Sequence, residues 1–110
     1  MAVATTLIRS GAFESSRTAE AMRMTVGQTL GDHDVRLIFA EEAVFALLTL
    51  ETSDSTARPF ETLKMLGSPV YAEKESMEER GIDRLPAGVE TISRAGAARM
   101  VAESGAVYIW

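Results

Sequence analysis

Carboxylates supply most of the chemistry this chain could do. Of its 110 residues, 16 are Asp or Glu, against one His and no Cys. Glu41 and Glu42 follow the apolar run Val35–Ala40, and Glu73 and Glu75 follow the shorter run Val70-Tyr71-Ala72. Carboxylates at the ends of neighbouring strands can gather into an acidic mouth. Such a cluster can hold a metal or split its pKa values for acid–base work. A second group opens the chain. Arg9-Ser10-Gly11 closes the first apolar run, and Ser15, Ser16 and Arg17 follow it. A strand that turns into a helix start offers free N–H groups and a dipole to a small anion. Arg9 and Arg17 would add charge. The spacing therefore nominates a pocket of Arg9, Ser10, Gly11, Glu41 and Glu73, and an anion site at Ser15, Ser16 and Arg17. Plainer roles stand beside these. Ser15 or Ser16 can simply cap a helix, and Glu41 and Glu42 can complement a helix dipole.

Several activities are excluded by residue type. Without cysteine there is no disulfide, no thiolate metal site and no sulfur nucleophile. His33 is the sole imidazole and is predicted at the far end of the second strand from Glu41. That argues against a metal centre and leaves Ser10, Ser15 and Ser76 without a base. Neither Gly-x-Ser-x-Gly, Gly-x-Gly-x-x-Gly nor Gly-Lys-Ser/Thr occurs. The expectation is no catalytic residue, no metal and no cofactor. The net charge of −5 argues against a nucleic-acid partner. No apolar run approaches the ~20 residues that span a bilayer. The start Met-Ala-Val-Ala-Thr-Thr-Leu-Ile lacks the charged opening and cleavage site of a signal peptide, so a cytoplasmic location is expected.

The elements that must position these residues follow from periodicity. Ala2–Ile8 reads as a buried strand. A helix is predicted over roughly 17–30, with Ala19, Met22, Val26 and Leu30 on its apolar face. Val35–Ala40 is continuously apolar, as in a strand covered on both faces. Glu41-Glu42 opens a second helix. Its residues Val44, Phe45, Leu47 and Leu48 make it apolar on most sides, which nominates them as a subunit interface; packing beneath a neighbouring helix is the alternative. Residues 51–58 form a polar loop, and Pro59 suits the first turn of a third helix running to Gly67. Val70–Ala72 is a strand. Ser76 and Glu79 have capping-box spacing, and Gly81 is a helix stop. Val89–Ile92 is a fourth strand. A helix capped by Ser93 and stopped by Gly105 then leads to a terminal strand at 106–110.

Strands alternating with helices imply one α/β domain over 1–110, with a mostly parallel sheet between two helical layers. The segment Val-Tyr-Ala-Glu-Lys-Glu-Ser-Met-Glu-Glu-Arg-Gly-Ile at 70–82 adds a resemblance. It is similar to the strand-turn-helix segment of the DsrE/DsrF/DsrH group, the TusB/TusC/TusD-like sulfur-relay proteins. The Arg-Ser-Gly turn after the first strand and the aromatic terminal strand Val-Tyr-Ile-Trp resemble them too.

That resemblance implies a three-layer α/β/α fold with five strands, and assembly as trimers, hexamers or mixed hexamers. Active members carry a persulfide on a cysteine at the end of the third strand. Aligning Ser76–Ile82 with the family's Ser-Leu-x-x-Arg-Gly-Leu pattern puts that position at Glu73. A carboxylate cannot carry sulfane sulfur. The resemblance thus implies a non-catalytic subunit, as a homo-oligomer or beside cysteine-bearing relatives. The alternative is a small-ligand or anion binder, or an enzyme, using the strand-end pocket.

Overall fold

A computed structural model describes residues 2–9, 15–31 and 33–110. Five parallel strands form one sheet in the order β4-β3-β2-β1-β5: β1 Ala2–Ile8, β2 His33–Phe39, β3 Val70–Glu73, β4 Val89–Ile92 and β5 Ala106–Ile109. The helices are α1 Ser15–Gln28, α2 Ala57–Met65, α3 Lys74–Glu79 and α4 Arg94–Glu103, with a 3-10 helix at Glu41–Leu48. The steps β1→β2→β3→β4 run one way across the sheet, and β4→β5 returns. Right-handed crossovers therefore put α1, the 3-10 helix and α2 on one face, and α4 on the other. This is the three-layer architecture the sequence predicts.

The core lies mainly under α1, the 3-10 helix and α2. Ile8, Met22, Leu37, Phe39, Val44 and Phe60 are at most 1% exposed. Thr25 joins this layer through a hydroxyl that donates to the Ala21 carbonyl (2.8 Å) and lies 2.9 Å from the Thr6 hydroxyl. On α1, Ala19 and Met22 are buried as predicted, but Leu30 lies beyond the helix and is 90% exposed. The helix also starts earlier than expected, so Ser15 and Ser16 fall inside its first turn.

The segment after β2 departs from expectation in a way its sequence explains. A 3-10 helix has about three residues per turn, so residues three apart stack. Val44, Leu47 and Leu50 form one buried row, and Ala43 and Ala46 another. The third row, Glu42, Phe45 and Leu48, faces outward, with Phe45 half-buried and Leu48 49% exposed. Val44 and Leu47, nominated as interface, are therefore core residues of this chain, unavailable to a partner. The packing alternative holds for them.

The capping box predicted at Ser76–Glu79 does not form. Helix α3 begins three residues earlier than a Ser76 cap implies, at Lys74, with Glu73 in the capping position, and Ser76 is inside the helix. Gly81 does stop it. Its φ of 68° is left-handed, and the Gly81 and Ile82 N–H groups donate back to the Glu78 and Met77 carbonyls (3.3 and 2.9 Å). These bonds satisfy carbonyls that the helix end leaves free, and Ile82 and Met77 are both buried in the core. Ser93 caps α4 as predicted, accepting from the Gly96 N–H at 2.9 Å. Gly105 is not a left-handed stop; its N–H donates to the Val3 carbonyl at 2.8 Å as the chain enters β5.

Candidate functional site

Glu73 sits where β3 becomes α3. Along β3, Val70 and Ala72 point into the core, so alternation turns Tyr71 and Glu73 toward the α4 face. The connections leaving β3 and β4 pass to opposite faces of the sheet. In open α/β sheets, that divergence opens a crevice beyond the strand ends, where ligands are bound. The Glu73 side chain stands in this crevice and is only 9% exposed.

A buried carboxylate needs partners, and Glu73 has two. Arg94 Nε, from the first residue of α4, donates to Glu73 Oε1 at 2.8 Å, and the Ser76 hydroxyl donates to the same oxygen at 2.7 Å. The Ser76 oxygen in turn accepts from the Glu41 N–H at 2.9 Å. Glu41 has φ 52°, a left-handed conformation that costs a residue with a Cβ about 1–2 kcal/mol. That backbone turn is what aims its N–H at Ser76. One hydroxyl thus ties the end of β2 to the end of β3.

Arginines neutralise the rest of the mouth. Arg9 Nε donates to Glu41 Oε2. Arg94 Nη2 reaches Glu79 at 3.1 Å, and the Arg94 backbone N–H donates to Glu75 at 2.8 Å. Arg80 donates to Glu42 at 3.3 Å through Nη2 and to the Ser76 carbonyl at 3.2 Å through Nη1. The hydrogen bond from Arg9 holds the Glu41 carboxyl below its usual range, and the Arg94 backbone N–H does the same for Glu75. The Glu73 hydrogen bond, followed by that of Glu79, pushes Arg94 upward. Arg9 is raised by Glu41 in the same way.

The predicted acidic mouth is therefore an alternating array of acids and arginines. It borders a cavity of about 550 Å³, open to solvent, whose apolar wall includes Leu7, Ala40, Ala97 and Val101. Arg9, Glu41 and Glu73 of the nominated pocket are brought together there. Ser10 and Gly11 lie outside the described residues, as do the side chains of Ser15 and Ser16. Arg17 stands 5.6 Å over the Trp110 ring instead of at the cavity. Among the described residues, no group of three or more His, Cys, Asp or Glu is arranged to hold a metal. Arg80 and Arg94 were not nominated from the sequence. Their partners are 38 and 21 residues away, and only the fold reveals them.

The architecture and this strand-end crevice define a class: a parallel α/β/α protein whose third strand ends at the crevice, here with a carboxylate. The DsrE/DsrF-like family matches residues 2–109, and the chain belongs to it. The crystal structure of the ychN protein from E. coli superposes with a TM-score of 0.85 at 21% identity, covering 100% of each chain. At that identity the likeness shows the fold. No curated protein matches the sequence. Among the described residues, no helix is long and apolar enough to cross a membrane.

Proposed function

We propose that this chain is a non-catalytic DsrE/DsrF-like subunit serving an intracellular, cytoplasmic sulfur-transfer assembly. One observation carries the reading. Residue 73, which the family resemblance aligns with the persulfide cysteine, is a glutamate bound by Arg94 and Ser76 in a chain without any cysteine. Sulfane sulfur needs a thiolate to move, so any transfer falls to a cysteine-bearing relative in the same assembly. The contribution of this chain is structural or regulatory: it presents a sulfur-free strand end to its neighbours.

The test is purification from its own cells with this chain as bait, followed by identification of what accompanies it. A stoichiometric partner with a cysteine at its own third-strand end supports the proposal. Its absence overturns it. A second reading, binding of a small anionic ligand, draws on the 550 Å³ cavity and the Arg9, Arg80 and Arg94 guanidinium groups that border it. A small molecule released from the purified chain would favour that reading.

A further inference from the structure

Only one oxygen of the Glu73 carboxylate is bound by the protein. Its side chain is 9% exposed, and both of its partners, Arg94 Nε and the Ser76 hydroxyl, donate to Oε1. Among the described residues, nothing donates to Oε2. A largely buried carboxylate oxygen short of a donor is costly. Glu73 lines the cavity of about 550 Å³, so a donor held there has access to it.

The arginines beside it are also part-used. Arg9 donates to Glu41 through Nε, and its Nη1 and Nη2 meet no acceptor among the described residues. Arg94 commits Nε to Glu73 and Nη2 to Glu79, and its Nη1 meets none. Both side chains are about half exposed, and both line the cavity. A free Nη1/Nη2 edge is the fork that takes a carboxylate bidentately. The charges around the cavity balance: Glu41, Glu73 and Glu79 against Arg9, Arg80 and Arg94. A site without net charge gives little to a simple anion and favours a ligand carrying both signs. Arg94 touches Glu73 at 2.8 Å and Arg9 touches Glu41, so the two charges of that ligand must also be adjacent, as on one α-carbon. The rest of the wall, Leu7, Ala40, Ala97, Ala98 and Val101, is aliphatic.

We infer that the cavity binds an α-amino acid with an aliphatic side chain. Its ammonium donates to Glu73 Oε2. Its carboxylate accepts from the free guanidinium N–H groups of Arg9 and Arg94, and its side chain lies on the aliphatic wall. The cavity is within the usual ~300–1,000 Å³ of small-molecule sites. This rests on the second reading above, a ligand in the cavity, and puts a zwitterion in place of a simple anion. It does not depend on a cysteine-bearing partner.

NMR titration of the isotope-labelled chain tests this with three probes: L-leucine, isocaproate, which lacks the ammonium, and isoamylamine, which lacks the carboxylate. L-leucine should shift the amides around the cavity and saturate, and each analogue should bind about tenfold more weakly. Arg9→Gln should weaken L-leucine and leave isoamylamine unchanged. Glu73→Gln should weaken L-leucine and leave isocaproate unchanged; if that variant fails to fold, Arg9→Gln and the analogues decide. Isocaproate or isoamylamine binding as tightly as L-leucine would overturn the inference while leaving a ligand in the cavity. Binding by none of the three would overturn the inference and the ligand-binding reading together.

Discussion

Glu73 is held by groups that would serve an anion of any kind at that position. Arg94 and the start of α3 both favour negative charge there. Replacing Glu73 by cysteine would create the only thiol in the chain. Its pKa should fall below the ordinary ~8.5, because a neighbouring guanidinium and a helix start stabilise thiolate. The pH dependence of its alkylation rate measures this, and adding Arg94→Gln should move the value back up. A value at or above the ordinary one would show that desolvation in the crevice prevails. Ser76 has a different task. Its fully buried hydroxyl bridges the Glu41 N–H and the Glu73 carboxylate. Ser76→Ala leaves both short of a partner and should cost about 1–3 kcal/mol in denaturant unfolding. A loss near zero would mean that water replaces the hydroxyl.

Acid should loosen the same mouth. The Glu41 and Glu75 carboxyls lie below the ordinary 4.5 in the folded chain. A depressed folded-state value stabilises at pH above the unfolded value, and that stabilisation disappears as pH falls through the folded one. Stability should therefore be flat near neutrality and drop from about pH 4.5 downward. Melting temperature against pH records this, and the double variant Glu41→Gln/Glu75→Gln should show a shallower drop.

Elements were legible where local signals suffice. Glycine at 81 and serine at 93 act within a few residues of themselves, and both end or begin helices as read. The 3-10 helix was not legible as such, because apolar residues on every side give no clear period. Its buried rows appear once the three-residue repeat is imposed. Leu47→Ala should accordingly cost about 2–5 kcal/mol, the usual range for truncating a core leucine. Leu48→Lys, in the outward row, should stay within about 0.5 kcal/mol. Equal losses in thermal or denaturant unfolding would contradict this orientation. Ser76 was misassigned for a related reason. Its spacing to Glu79 fits a local cap, but its actual partner on β2 is 35 residues away.

At the scale of the molecule, alternation of strands and helices implies the layers, and the segment at 70–82 carries the family resemblance in its residues alone. Charge pairing across the mouth was hidden, since Arg9–Glu41 and Arg94–Glu73 join distant parts of the chain. Burial of Val44 and Leu47 was hidden too, because an apolar run reads alike as core or as subunit surface. The account's central claim is a sulfur-free strand end that leaves chemistry to a partner. Native mass spectrometry of the complex drawn from its own cells tests this claim most directly. The account predicts an assembly containing this chain together with a relative bearing a cysteine at its own strand end. Recovery of this chain only as a homo-oligomer, with no such relative, would contradict it.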